Sequence, residues 1–286
     1  MRVNKNILFW TGMDAGSGYI ITEDTIIAVD AQSRRDQAAL MIELLQHHGH
    51  NPRKIRYLVN THNDFDHIGG NAEFLDQIPG IKIVTGAEDS IKIENPTADI
   101  TGRSRFRMER VIENLDRSRV DIKIQEDAIL EVNDLTIRIL HTPGHTAGSI
   151  CVYVEDQHTL FTGDTVLGHG RWAGPQGLPL IKTDLDTMIT SLKRLKQFKI
   201  NWLLPGHGKV VRDGQKKIQQ DIESLEELPE QVLQALETEA TIADLSDLLL
   251  IYPNTITSAV LQLEKQGKIQ KTHQETSMQI TKWRTR

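Results

Sequence analysis

Cysteine is nearly absent from this sequence. The single thiol, Cys151, lies in the alternating apolar run SICVYVE, a pattern that predicts a buried strand position and not a reactive site. No intramolecular disulfide can form from one cysteine. Such a thiol-poor chain is typical of a reducing compartment.

Long apolar runs are missing as well. No stretch approaches the roughly 20 apolar residues that a membrane span requires, and the apolar part of MRVNKNILFW is too short for a signal peptide. We therefore expect a cytoplasmic protein with no membrane partner. The net charge of -6 also excludes an overall attraction to nucleic acid, although it leaves room for a local basic face.

The chain has 286 residues, enough for one large domain or two smaller ones. Up to about residue 210, short β-branched segments bounded by Gly, Pro, Asn or Asp alternate with helical patterns. This alternation predicts an α/β fold in which mixed sheets are covered by helices. The predicted strands are 18–22, 25–30, 55–60, 81–85, 135–141, 149–154, 159–163 and 202–205, and the predicted helices are 36–48, 71–77, 185–197 and 214–225.

Two later segments differ in character from the rest. Residues 88–120 are heavily charged with a weak helical period, which indicates an insertion: either a flap over a site or a solvated helical face. Beyond Pro229, a helical stretch at 230–248, a helix at 255–267 and a two-stranded ribbon with a turn near 274–277 follow the outline of a winged helix. We therefore predict domains at 1–228 and 229–286.

Polar residues suited to metal binding occur in four separate segments. Each lies where a predicted strand stops and a glycine allows a sharp turn, and loops held by rigid strands are where sites are usually built. A lone His-Gly or Gly-Asp would indicate only a surface turn, but the four together predict a metal site. They are HNDFDH at 62–67, TPGH at 142–145, TGDT at 162–165 and LPGHG at 204–208.

The spacing of these residues suits two ions. Alternate side chains at His62 and Asp64 can face one ion, and the adjacent pair Asp66 and His67 can face a second. His145 can complete the first set and His207 the second, while both oxygens of Asp164 can bridge the ions. Such a pair of divalent metals, about 3.5–4 Å apart, activates water and polarises an electrophile.

With these motifs, the sequence resembles the metallo-β-lactamase-fold hydrolases over roughly residues 5–210. THNDFDHIGG is similar to the THxHxDHxGG signature of that family, and HTPGHTAGS, TGDT and PGHG are similar to its three later motifs, in order. Asp30 resembles the early structural Asp of the fold. The resemblance implies a four-layer αββα sandwich, with His62, residue 64 and His145 on one metal, Asp66, His67 and His207 on the other, and Asp164 bridging.

Asp64 departs from the family pattern, which usually has His at this position. Either Asp64 still binds the first metal, giving a harder and more negative site tolerant of manganese or iron, or its shorter reach leaves that site weak. Flavodiiron members of the family carry a carboxylate there and hold iron, although no flavodoxin-like segment follows here. We expect Asp64 to bind, with two divalent ions as cofactors, zinc foremost.

The expected reaction is hydrolysis, in which a metal-bridging hydroxide attacks the substrate and Asp66 and Asp164 are the catalytic carboxylates. His169 and Arg171, in a flexible loop after TGDT, are candidate substrate-binding residues; a plain surface loop is the alternative. A small-molecule ester, thioester or lactone is the expected substrate.

Two other functions remain open. The first is an endoribonuclease or phosphodiesterase acting on single-stranded RNA. The stretch KKIQQDIESLEE, the winged-helix-like tail and the LGHG turn resemble β-lactamase-like endoribonucleases and thioesterase-like relatives that carry a C-terminal winged helix, and the basic run from Lys265 would add phosphate contacts. The second is a regulatory binder with a degraded site, which the intact later motifs disfavour. If the chain oligomerises, a homodimer is the expected assembly.

Overall fold

The computed structural model describes residues 1–11, 14–96, 115–133, 135–170, 176–273 and 281–285. Within these ranges the chain forms two six-stranded sheets and a small three-stranded sheet. The first sheet has the order β1 to β6, and its last four strands run parallel. Its strands are β1 (Ile7–Trp10), β2 (Ser17–Ile21), β3 (Ile26–Val29), β4 (Ile55–Val59), β5 (Lys82–Gly86) and β6 (Ile122–Ile124).

The second sheet has the order β12-β11-β10-β9-β8-β7, and in it only β10 and β11 pair in parallel. It holds the alternating segment in which Cys151 was predicted to be buried, and Cys151 is buried in β9. The strands are β7 (Ala128–Val132), β8 (Leu135–His141), β9 (Ile150–Val154), β10 (Thr159–Gly163), β11 (Trp202–Pro205) and β12 (Val211–Arg212).

Helices cover the outer faces of the two sheets, and the last two helices pack against other helices. Those of the first part of the chain are α1 (Arg35–His47), α2 (Phe65–Ile68), α3 (Asn71–Gln77), α4 (Ala87–Glu94) and α5 (Leu185–Leu195). The later helices are α6 (Gly214–Ala235), α7 (Ile242–Leu249) and α8 (Pro253–Lys265). Short 3-10 turns occupy Pro52–Lys54 and Glu155–Gln157, and β13 (Ala240–Thr241), β14 (Ile269–His273) and β15 (Lys282–Thr285) form the small sheet.

Three apolar clusters define the layers. One lies between the two sheets and includes Phe9 and Phe161, whose rings meet edge to face at 5.8 Å. A second packs the other face of the first sheet against α1 and α3, with Met41 and Phe74 among its members. The third packs the second sheet against α5 and α6. The predicted four-layer αββα sandwich is therefore confirmed.

The C-terminal segment shares the third cluster with the preceding fold. Buried residues of α7 and α8 and the indole of Trp283 in β15 belong to the same apolar cluster as α5. The predicted boundary at 228/229 falls inside α6, which continues through Pro229. A separate winged-helix domain stays a prediction, and its predicted turn at 274–277 lies outside the described residues, as does most of the charged 88–120 segment.

Helices α7 and α8 are hydrogen-bonded to α5 and to the segment that precedes it. The buried Thr255 hydroxyl donates to the Pro179 carbonyl at 2.8 Å, and Gln262 Nε2 donates to Asp186 Oδ1 at 2.8 Å. Gln176 Nε2 donates in the other direction, to the Leu249 carbonyl, at 2.7 Å. Residues 176–182 are therefore held between the sandwich and the C-terminal helices.

Replacing Thr255 with Val removes the donor to Pro179 while keeping the side-chain volume. We expect Thr255→Val to lower the free energy of unfolding by about 1–3 kcal/mol, because the Pro179 carbonyl is left buried and unpaired. Thr257→Val is the matched control: Thr257 bonds only the Pro253 carbonyl of its own helix, at 2.7 Å, and should shift stability by about 0.5 kcal/mol or less. Urea unfolding distinguishes the two; equal effects would contradict this role.

Candidate metal centre

The first ligand segment is the loop that follows β4. Its start is fixed by Asp30, a buried residue with a left-handed φ of 58° at the end of β3. The Asp30 carboxylate accepts bonds from the Thr61 amide at 2.8 Å and from the Thr61 hydroxyl at 2.9 Å. The loop ends at Gly69, where a Cβ atom would overlap the Ser33 carbonyl oxygen. Only glycine permits this close approach.

Asp30 also sets the orientation of His67. The His67 ring is fully buried, and its Nδ1 lies 2.8 Å from Asp30 Oδ2, which leaves Nε2 facing the centre of the site. Burial alone lowers the pKa of His67, but the carboxylates of Asp30 and Asp66 outweigh it and raise that pKa to about 10. An imidazole held by a carboxylate in this way is a common arrangement for a metal ligand.

The seven predicted ligands meet as two adjoining groups. In the first, His145 Nε2 lies 3.0 Å and His62 Nε2 lies 3.5 Å from Asp64 Oδ2. In the second, Asp66 Oδ2 lies 3.1 Å from His207 Nε2 and 4.0 Å from His67 Nε2. The ligand atoms within each group lie within 4.8 Å of one another; the groups are His62, Asp64, His145 and Asp164, and Asp66, His67 and His207.

Asp164 reaches both groups. Its Oδ1 lies 3.5 Å from His67 Nε2, and its Oδ2 lies 3.5 Å from His207 Nε2 and 3.8 Å from His145 Nε2. Gly206 makes this approach feasible, because a Cβ atom there would overlap Asp164 Oδ1. The structure therefore gives Asp164 the central location that a bridging ligand needs.

Three hydrogen bonds to Leu180 and Asp89, which are not ligands, keep the loops together. The Leu180 carbonyl lies 2.7 Å from His145 Nδ1, so Nε2 of that ring faces inward. The Asp89 carboxylate accepts bonds from the Asn63 amide at 3.0 Å and from the Thr146 hydroxyl at 2.7 Å. Asp89 thereby joins the loop after β4 to the loop after β8. No pattern in the sequence predicts these contacts, because Leu180 acts through its backbone carbonyl and Asp89 lies in a charged helical segment.

The charges in the cluster stabilise each other strongly. Burial would raise the pKa of Asp164, but the surrounding imidazoles, led by His207, outweigh it and lower that pKa. Burial likewise lowers the pKa of His207, but Asp164 outweighs it and raises that pKa. Burial and the nearby Lys182 together lower the pKa of His145. The carboxylates are therefore ionised, as metal ligands must be.

The cluster is chemically suited to divalent metal ions. His62 Nε2, His67 Nε2 and Asp164 Oδ1 are buried in the cluster and have no hydrogen-bond partner among the described residues. Buried polar atoms without partners are costly, and imidazole nitrogens with carboxylate oxygens are the donors that zinc, manganese and iron accept. The residues present therefore fit the expected metal ions.

Lys182 is a residue of the site that the sequence did not reveal. Its Nζ donates to Asp64 Oδ1 at 2.6 Å and also contacts Oδ2. Burial raises the pKa of Asp64, but Lys182, followed by His145, outweighs it and holds that pKa well below its ordinary value. The lysine lies 118 residues from Asp64 in sequence, so no local pattern connects them.

Of the two predicted substrate-binding residues, only His169 is described, and it lies outside this cluster. His169 is exposed in the loop after β10, where its backbone carbonyl accepts a bond from the Lys209 amide at 3.0 Å. Arg171 lies outside the described residues. Substrate binding by either residue stays a prediction.

Known proteins share the sequence motifs and the fold described above. A sequence model of the metallo-beta-lactamase superfamily matches residues 11–207, more than half of the chain. The chain belongs to the metallo-beta-lactamase superfamily. A solved metallo-beta-lactamase family protein from Thermus thermophilus shares this superfamily fold with a TM-score of 0.77 and 18% identity over 100% of both chains. The likeness therefore includes the C-terminal helices and small sheet.

Named relatives within the superfamily include thioesterases. An atrochrysone carboxyl ACP thioesterase of Aspergillus fumigatus is 34% identical over 114 residues, which cover 40% of this chain and 34% of that protein. A second one, of Pseudocercospora fijiensis, is 28% identical over 213 residues, which cover 74% of this chain and 53% of that protein. The matches thus span about a third to a half of these relatives' lengths. The relatives' names are consistent with a hydrolase.

Among the described residues, no helix is long and apolar enough to cross a membrane.

Loss of the Asp30 carboxylate should weaken metal binding without removing a ligand. We expect Asp30→Asn to lower affinity by about 10–100-fold, because the amide no longer holds His67 through an ionic hydrogen bond. Asp36→Asn, which changes an exposed carboxylate at the start of α1, is the charge-matched control. Calorimetric titration with Zn²⁺ or Mn²⁺ measures both variants, and equal affinities would contradict the assignment.

Metal binding should release protons. Since the pKa of His67 is raised to about 10, this ring is protonated in the metal-free protein at neutral pH and must lose its proton to bind an ion. Affinity should therefore rise with pH below about 10, by up to about tenfold per pH unit for each proton released. Titration at pH 7 in two buffers of different ionisation enthalpy counts these protons; a count of zero would argue against His67 as a ligand.

Proposed function

We propose that this protein is a hydrolase that uses two divalent metal ions to cleave a small-molecule ester, thioester or lactone. The observation that carries the proposal is the pair of adjoining ligand groups joined by Asp164. Three of their inward atoms, His62 Nε2, His67 Nε2 and Asp164 Oδ1, are buried without a hydrogen-bond partner among the described residues. Zinc is the first candidate for the ions, with manganese or iron as alternatives for the oxygen-rich group around Asp64.

The proposed chemistry divides between the ions and the chain. Divalent ions held here would lower the pKa of a water molecule and polarise the carbonyl under attack. Asp164 holds the two groups at a fixed separation. Asp66 is 16% exposed in its side chain, so its carboxylate is accessible enough to orient the attacking water and accept its proton.

The single cysteine of this chain is not a suitable nucleophile for a covalent mechanism. Burial raises the pKa of the Cys151 thiol to about 11, and the thiol accepts a hydrogen bond from Thr142 at 3.3 Å. A buried, protonated thiol is inert. Direct attack by water is therefore the mechanism we propose.

Thioesters are the favoured substrate class within this proposal. The support comes from the relatives named as acyl-carrier-protein thioesterases, one of which aligns with 74% of this chain. Thioester, ester and lactone hydrolysis all begin with attack on a carbonyl carbon, so the same two ligand groups suit each of them. The acyl group and the thiol carrier would be selected by residues around the mouth of the site.

The C-terminal segment supports a small-molecule substrate more than RNA. The face of α8 that carries Ile256, Ala259 and Leu263 is buried in the apolar cluster shared with α5 and α6, and so is not available to a nucleic acid. Two basic residues of the small sheet are paired with acids: Lys271 with Glu264 at 3.1 Å, and Lys282 with Glu239 at 3.4 Å. These pairs reduce the positive field that phosphate binding requires.

A substrate panel with metal-loaded protein tests the proposal. We expect hydrolysis of acyl thioesters, and weaker hydrolysis of aryl esters and lactones, with no cleavage of single-stranded RNA. His207→Asn should lower the rate by more than about 100-fold, because even changes beside a ligand cost 10–100-fold. His158→Asn is the control, since His158 has a left-handed φ of 47°, which Asn tolerates, and contacts Tyr153 outside the cluster.

Two results would overturn the proposal. Cleavage of RNA with no turnover of any carbonyl substrate would establish the nuclease alternative instead. Hydrolysis that survives His207→Asn, or that persists after complete chelation of metal, would show that the two ligand groups are not the reaction centre.

A further inference from the structure

Lys182 is attached to the ligand loops through its backbone as well as its side chain. The Lys182 and Thr183 amides each donate to the Gly144 carbonyl at 3.2 Å, and the Thr183 hydroxyl donates to the same oxygen at 2.9 Å. Gly144 immediately precedes His145, so the lysine and this ligand belong to one hydrogen-bonded unit. The backbone of Lys182 is therefore fixed beside the first ligand group. Its side chain is 35% exposed, and its ammonium is held there by the Asp64 carboxylate.

The ammonium engages the oxygens that a metal ion would use. It contacts both oxygens of Asp64, and Asp64 Oδ2 is also the atom that lies 3.0 Å from His145 Nε2. An ammonium has three donors and a localised charge, so it binds a carboxylate as a compact cation does. A metal ion at His62, Asp64 and His145 would have to share or displace this contact.

Within the described parts of the chain, no lysine or arginine forms an ion pair with the second ligand group. Among the described residues, the ion pairs of Asp66 are with the imidazoles of His67 and His207. Those imidazoles are themselves members of the ligand groups, whereas Lys182 is not and occupies the Asp64 oxygens that an ion would use. The two groups therefore differ in what an entering ion must displace.

We propose that Lys182 competes with metal for Asp64, so that the group of Asp66, His67 and His207 fills first and the group of His62, Asp64 and His145 fills second and more weakly. This inference rests on the metal-binding part of the proposed function. It also accounts for the side chain at position 64: the charge of the Asp64 carboxylate is neutralised by Lys182 when the first group is empty. Lys182 thereby acts as a positioning residue that sets the order of metal loading.

Metal titration of the purified protein tests the order of filling. In the unaltered protein we expect two binding events for Mn²⁺ or Zn²⁺, the second weaker by about tenfold or more. Lys182→Met removes the ammonium and keeps the length of the stem, so it should tighten the second event by about tenfold and leave the first within about threefold. Bound metal is counted by elemental analysis after dialysis at a series of free-metal concentrations.

Lys193→Met is the matched control. Lys193 lies on α5 and pairs with Glu226 at 2.6 Å, with both side chains about half exposed. This substitution removes the same charge from the chain, so it should leave both binding events unchanged. If Lys193→Met tightens the second event as much as Lys182→Met does, net charge explains the result and the inference fails.

A second pair of variants separates competition for the carboxylate from repulsion at a distance. In an Asp64→Asn background, Lys182→Met should change neither event, because the shared carboxylate is already absent. An unchanged tenfold effect in that background would overturn the inference, as would a weaker second event in Lys182→Met alone. Lys182→Gln serves the same purpose if the Met variant does not fold, as judged by its thermal unfolding.

These outcomes are independent of the substrate. Two unequal metal events that respond to Lys182→Met, in a protein that hydrolyses nothing in the panel, would support the inference and overturn the proposed activity. Hydrolysis by a protein that binds both metals with equal affinity would overturn the inference and leave the proposed activity standing. A protein that binds no divalent metal would overturn both.

Discussion

Imidazoles and carboxylates can be crowded together in a buried site only if their outward-facing atoms have partners. Each ring nitrogen that does not face the centre must be hydrogen-bonded, or it would carry the cost of an unpaired buried polar atom. Asp30 meets this need for His67, and the Leu180 carbonyl meets it for His145. The Thr61 hydroxyl lies 3.0 Å from Nδ1 of His62 and has the same effect there. These contacts turn the inward nitrogens toward one small volume.

The packing of two sheets makes that arrangement feasible. The loop with His62 follows a strand of the first sheet, whereas the loops with His145, Asp164 and His207 follow strands of the second. The apolar cluster between the sheets fixes how their edges meet. Residues with no role in the chemistry therefore determine the distances within the metal centre, because interior packing tolerates little displacement.

The segment at 176–182 connects the C-terminal helices to the site. Pro179 is bonded to Thr255, Leu180 orients His145, and Lys182 contacts Asp64, all within a few consecutive positions. A displacement of α8 would therefore shift the residues that contact the first ligand group. This physical continuity gives the C-terminal segment a structural influence on the site without requiring that it bind a second macromolecule.

The local pattern of the sequence was enough to locate most strands and all seven residues of the two ligand groups. Strands β4, β8, β10 and β11 are short, apolar and followed by a glycine-marked turn, and these are properties of a few adjacent residues. Strands β1, β6, β7, β12 and β13 were not predicted, because each is stabilised mainly by pairing with a neighbouring strand. Strand β13 interrupts the stretch 230–248, which was predicted to be helical. Helix α6 continues through Pro229, where the local pattern indicated a boundary, because both halves of the helix pack into one apolar cluster.

The sequence by itself therefore determined which side chains meet in the cluster and that Asp64 departs from the family pattern. Only the tertiary structure decided what surrounds that carboxylate. Lys182 reaches Asp64 across 118 positions, and Asp89 joins two loops through a bond to Thr146 that spans 57 positions. Such contacts form only when the sheets have packed and distant loops have come together. Periodicity and spacing along the chain therefore do not predict them.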